Sequence, residues 1–145
     1  PEVCFTDGRR EAFDLVIFAT GYRRLFPFLP DEVGGGGVGS GGSGPGDSSP
    51  LDLYLNIFHR ARSDLAFIGL FENDGPAYTL MGQQAELVAR VFDLGFDGAE
   101  FARRRATDRP DLRGGRRYLA TQRHDYYVNT KAYTRALELE AARLE

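Results

Sequence analysis

Phe13-Asp14-Leu15-Val16-Ile17-Phe18-Ala19-Thr20-Gly21-Tyr22 is the stretch on which the reading of this chain turns. Five consecutive apolar residues, Leu15 to Ala19, have the pattern of a strand buried on both faces, and such strands belong to parallel sheets covered by helices. The run stops at Thr20-Gly21, so the chain turns just past a strand's carboxyl end, where open α/β sheets bind ligands. The same pattern also suits a core strand ending in an ordinary turn.

Outward from this stretch, Val3 to Thr6 predicts a short strand. Asp7-Gly8 predicts a tight hairpin turn, because glycine tolerates positive φ. The chain opens at Pro1 and runs at once into that strand, which predicts that it begins inside a fold. Arg23 and Arg24 follow the turn; a basic pair there suits either a solvated loop or a phosphate or carboxylate contact. Pro27 and Pro30 forbid a regular helix through Phe26 to Pro30. Nine of the thirteen residues from Gly34 to Gly46 are glycine. A segment so poor in apolar side chains cannot offset its ordering entropy, and a flexible linker is expected. Gly34-Gly35-Gly36-Gly37-Val38-Gly39 formally matches G-x-G-x-x-G. A dinucleotide fingerprint needs a strand before it and a helix after it, and prolines, glycines and serines flank this one instead.

Downstream, Leu51 to Phe58 alternates in its first half and predicts a half-buried strand ended by His59, which has no local acid or base partner. Ser63-Asp64 marks a turn. Leu65 to Ile68 predicts a short buried strand stopped by Gly69. A loop rich in turn formers leads to Thr79, the expected cap of a helix running to about Leu94, with Leu80, Ala85, Leu87, Val88, Val91 and Phe92 at helical spacing. Glu86 and Arg90 form an i,i+4 pair on it and Gly95 is a good stop. A helix amino terminus aimed back at a strand's carboxyl end favours an anionic or electron-rich group. Ala99 to Ala106 predicts a short basic helix whose Arg103, Arg104 and Arg105 form a solvated face. Asp108 to Asp111 breaks it, an irregular aromatic and basic region follows, and Ala132 to Leu144 predicts a final amphipathic helix with Tyr133, Ala136, Leu137, Ala141 and Leu144 on one face.

Bulk properties narrow the function. With 145 residues the chain can build one modest core. The net charge of −3, with Asp108, Asp111 and Asp125 breaking up the basic tail, argues against nucleic acid despite its tyrosines. One cysteine, Cys4, forbids an internal disulfide and suits a reducing cytoplasm. Cys4, His59 and His124 are too scattered for a metal site. The apolar runs fall far short of the ~20 residues that span a bilayer.

At Phe18-Ala19-Thr20-Gly21-Tyr22 the chain resembles the flavin-containing monooxygenases and their Baeyer–Villiger and N-hydroxylating relatives. Asp52 to Phe58 resembles the family's strand that starts Leu-Tyr and ends near an aromatic. Phe67-Ile68-Gly69-Leu70, followed by Gln84-Ala85-Glu86-Leu87-Val88-Ala89-Arg90, resembles its last flavin-side strand and helix. Arg117-Tyr118, Arg123-His124 and Tyr127-Val128-Asn129 resemble its tail.

This resemblance implies an α/β fold: the carboxyl-terminal part of a flavoprotein with two dinucleotide-binding domains, in which short buried strands are followed by helices. Residues 1–30 would hold the hairpin and the junction strand, 31–50 the glycine-rich linker, and 51–145 the end of the FAD-binding domain with a helical tail. The implied activity is an FAD- and NADPH-dependent oxygenation of a small nucleophile at nitrogen, sulfur or a carbonyl carbon, through a flavin hydroperoxide, with O2 as co-substrate. Ala19, Thr20, Gly21, Tyr22, Gly69, Leu70 and Gln84 are the implied cofactor-binding residues. The family carries two G-x-G-x-x-G fingerprints ahead of the FATGY segment. Neither is in this sequence, nor is the family's active-site asparagine, so the chain is expected to need an amino-terminal FAD- and NADPH-binding portion and to be inactive alone. The other reading is a non-catalytic remnant or a protein-interaction module whose unpaired strand edges seek partners.

Overall fold

The computed structural model describes residues 1–19, 26, 28–30, 33, 51–93, 98–118 and 124–144. Thr20, Gly21, Tyr22, Arg23, Arg24, the glycine-rich segment, Gly95 and Arg123 lie outside the described residues. Helices and short strands are mixed, as an α/β reading expects.

The amino-terminal hairpin forms as its turn chemistry predicts. Strands β1 (Glu2–Cys4) and β2 (Arg10–Ala12) pair antiparallel, with Val3 opposite Glu11. Phe5 N–H donates to the Arg9 carbonyl (2.8 Å) and Gly8 N–H to the Phe5 carbonyl (2.9 Å). Gly8, at φ +86°, supplies the left-handed step that closes this three-residue loop. The Asp7 carboxylate accepts from Arg9 N–H at 2.9 Å.

Three strand expectations are corrected. Residues 13–19 form no strand, and Leu15, Ile17 and Phe18 are 73%, 80% and 83% exposed. A parallel strand needs neighbours at both edges and helices over both faces, and among the described residues nothing covers these side chains. Leu51 to Phe58 is not one strand either. It folds back as a hairpin, β3 (Leu53–Tyr54) against β4 (Phe58–His59). Leu55 (φ +57°) and Asn56 (φ +53°) are both left-handed, and Ile57 N–H donates to the Tyr54 carbonyl at 3.0 Å, which defines a type I′ turn. Leu51, Leu53, Tyr54, Leu55, Ile57 and Phe58 are all buried, so packing overrides the alternation. Leu65 to Ile68 contributes only a bridge from Ala66 to Phe58, and Ile68 is exposed. Both sheets among the described residues are two-stranded and antiparallel, with one parallel bridge between Glu72 and Tyr127.

Helix α1 (Ala77–Asp93) starts two residues before the expected cap, directly after Pro76, whose fixed φ suits a helix entry. Its buried stripe is Leu80, Gln84, Leu87, Val88 and Val91; Ala85 and Phe92 face solvent instead. The Glu86–Arg90 pair forms at 2.8 Å. Helix α2 (Ala99–Thr107) ends at Asp108, and Pro110 prevents its return. Helix α3 (Thr130–Ala142) is capped by Asn129, whose side chain accepts from Ala132 N–H at 3.1 Å. The core joins the β3–β4 hairpin to α1, α2 and α3 through Ile57, Phe58, Leu80, Leu87, Phe101 and Tyr133. Beside it, Phe26, Leu29 and Phe67 pack on Leu51, Leu53 and Tyr126. His59 fastens that corner: Nδ1 accepts from Ala61 and Arg62 N–H at 3.2 and 3.1 Å, while Nε2 is 3.3 Å from the Val33 carbonyl. Among the described residues no helix is long and apolar enough to cross a membrane.

Candidate functional site

Three of the seven expected cofactor-side residues gather in one place. Gly69 ends the Leu65 to Ile68 segment at φ +85°, a backbone state that suits glycine. A Cβ there would sit 3.1 Å from Met81 Cε, so the turn lies close against α1. Gln84 comes up from α1 beneath it, fully buried, and its Oε1 accepts from Gly69 N–H at 2.8 Å. Leu70 follows, half-buried, in the smaller cluster with Phe26, Leu29 and Phe67. Ala19 is exposed, and Thr20, Gly21 and Tyr22 lie outside the described residues.

The hydrogen bonding continues to a residue that sequence reasoning placed only as core. Gln84 Nε2–H donates to the Tyr133 hydroxyl at 2.6 Å, and the Tyr133 O–H donates to the Leu55 carbonyl at 2.6 Å. Burial raises the Tyr133 pKa well above its ordinary value, so the hydroxyl keeps the proton it donates. Gln84 was detectable by register: it stands four residues after Leu80 and three before Leu87, on the apolar stripe. A polar residue in that position must find buried partners.

A second buried polar cluster corrects the reading of Arg103, Arg104 and Arg105 as a solvated face. Arg103 is exposed, but Arg104 is buried and grips Glu140 of α3, with Nη2 and Nε at 2.7 and 3.0 Å from Oε1. Tyr54 O–H donates to Glu140 Oε2 at 2.8 Å. The Glu140 hydrogen bond raises the Arg104 pKa; burial, then Glu140, raises that of Tyr54. Arg104 follows Phe101 by one turn and Glu140 follows Leu137 by one turn, so register again places both inward.

A cleft of about 220 Å³ borders the hairpin, walled by Leu55, Asn56, Arg60, Arg109, Arg113 and Asp125 among others. The tail tyrosines stack on each other, Tyr118 on Tyr127 with centroids 4.4 Å apart, and Arg113 lies over Tyr118 at 5.8 Å.

These residues do not by themselves fit FAD. Ligand pockets for drug-sized molecules run from about 300 Å³ upward, and FAD is larger still. Both ends of the Gln84 amide and the Gly69 N–H are engaged within the protein. Among the described residues no strand–G-x-G-x-x-G–helix unit is present to cradle a pyrophosphate.

Among known proteins the curated matches are monooxygenases, and the chain shows a partial relationship to the flavin-containing monooxygenases. The chain is 37% identical over 91 residues to flavin-containing monooxygenase 2 of Homo sapiens and to dimethylaniline monooxygenase (N-oxide-forming) 2 of Pan troglodytes. The Macaca mulatta counterpart is 36% identical over the same length. The matched stretch is 61% of this chain but only 15% of each relative. No protein-family model matches the chain, and no solved structure matches it significantly. The resemblance seen in the sequence is thereby supported as a partial one.

Proposed function

We propose that this chain is part of an FAD- and NADPH-dependent monooxygenase that oxygenates a small nucleophilic substrate at nitrogen, sulfur or a carbonyl carbon, using O2. The observation that carries this reading is the 91-residue match to monooxygenases, together with the meeting of Gly69 and Gln84. In this reading residues 1–30 belong to the junction between NADPH and FAD domains, 31–50 to a linker, and 51–145 to the end of the FAD domain. Ala19, Thr20, Gly21, Tyr22, Gly69, Leu70 and Gln84 are the cofactor-binding residues of this reading, Gln84 contributing through its hydrogen bond to Gly69. The phosphates of FAD and NADPH are cradled by a portion outside these 145 residues, so the chain alone is inactive. The lone thiol of Cys4 suits a reducing cytoplasm.

A second reading, a protein-interaction module, draws on the exposed Leu15, Ile17 and Phe18. A chimera separates the two: this chain replaces the corresponding stretch of human flavin-containing monooxygenase 2. The first reading expects the chimera to retain bound flavin and NADPH-dependent O2 uptake, while the isolated chain leaves the spectrum of added FAD unchanged. A folded chimera without flavin sinks it, and a flavin shift with the isolated chain sinks the claim about the cradle.

A further inference from the structure

We propose that helix α3 sets the conformation of the Gly69 turn through a relay of three hydrogen bonds, which makes Tyr133 and Gln84 positioning residues for the cofactor-side backbone. The functional half of this inference rests on the reading of Gly69-Leu70 given above; the relay itself does not.

Each bond in the relay dictates the next. Gly69 offers an N–H, so Gln84 must present its carbonyl oxygen there. The other end of the amide is then a donor, and the Tyr133 hydroxyl must accept from it. That leaves the hydroxyl's single proton for the Leu55 carbonyl. Reversing the amide would set donor against donor at Gly69. Gln84 and Tyr133 are both 0% exposed, so no water stands ready to replace a lost partner.

The two ends of the relay are both left-handed turns. Gly69 is held at φ +85° between Met81 on one side and Gln84 on its N–H. Leu55, at φ +57°, carries a bulky side chain in a region that disfavours it, and persists because its surroundings fix it. The Tyr133 hydroxyl is one of those fixtures. A helix near the carboxyl terminus thereby ties a turn before α1 to a turn between β3 and β4. The sequence separations are 49 residues from Gln84 to Tyr133 and 78 from Tyr133 to Leu55. Ordinary helix packing would hold α1 against α3 without specifying Gly69; the relay supplies that specification.

The test uses nuclear magnetic resonance on the full 145-residue chain without cofactor. In the wild type, the Tyr133 hydroxyl proton should exchange slowly enough to be seen and lie close to the Gln84 side-chain amide. In Tyr133→Phe, Gly69 N–H should exchange about tenfold faster, the size of one net hydrogen bond, while the Leu87 and Val91 amides stay protected. Tyr133→Phe combined with Gln84→Met should exchange at Gly69 no faster than Gln84→Met alone, because both substitutions break one chain of bonds. An unchanged Gly69 rate in folded Tyr133→Phe overturns the relay. If that variant does not fold, the wild-type spectrum decides, and absence of the hydroxyl signal near Gln84 overturns it. In the flavin-binding chimera, Tyr133→Phe should weaken flavin about tenfold, by the same single bond. Unchanged flavin affinity alongside a faster Gly69 amide overturns the positioning role and leaves the relay standing.

Discussion

Residues 13–19 and helix α1 are both rich in apolar side chains, yet the first lies open and the second is packed. Leu15, Ile17 and Phe18 face solvent, whereas Leu80, Leu87 and Val91 are each 1% exposed. The difference is in what reaches them. Helix α1 meets α3 along a stripe that also carries Gln84, and the polar groups on that stripe are joined to Tyr133 and Gly69. The run 13–19 has apolar side chains on both sides of its backbone and, among the described residues, lacks the flanking strands and covering helices such a strand requires. Hydrophobicity states a demand for cover; only the rest of the fold can meet it.

This contrast can be broken most sharply inside the body. Arg104→Ala leaves Glu140 buried without its main cation, and the loss should be about 3–5 kcal/mol, read as a large drop in Tm or failure to fold. A shift of only a few tenths would mean that the α2–α3 ion pair is not a keystone. Asn129→Ala removes the α3 cap and should cost about 1 kcal/mol by chemical denaturation. Since α3 carries both Tyr133 and Glu140, that modest loss should also appear as faster amide exchange in its first turn. The smallest effect is expected in the open run. Ile17→Ser should change the unfolding free energy by no more than about 0.5 kcal/mol, as at other exposed sites, while reducing self-association on size-exclusion chromatography. A marked destabilisation by Ile17→Ser would show that the run is packed in solution, and the contrast between the two regions would dissolve.

Much of the local structure was legible. Asp7-Gly8 specifies its hairpin because the turn needs one glycine at positive φ and nothing distant. Pro110 marks a helix boundary for a similarly local reason, and the helical periods around Leu87 and Leu137 are real. The turn at Leu55-Asn56 was not legible, since a bulky residue at positive φ contradicts local preference and is sustained by a hydroxyl 78 residues away. The candidate site was half legible. Gly69 and Gln84 stood out as residues, but nothing in their spacing says that one donates to the other.

What the sequence by itself determined is the set of demands: which faces are apolar, where the chain must turn, and that Gln84 falls on the apolar register of its helix. It also carries the partial kinship with flavin-containing monooxygenases, which depends on the order of short motifs and not on contacts. Only the tertiary structure decided the partners. Tyr133 for Gln84, Glu140 for Arg104 and Tyr54, and open solvent for Ile17 are all settled by chain segments far apart in sequence. A buried polar group's energy depends on whether a complementary atom arrives within about 3 Å, and no local pattern encodes that arrival.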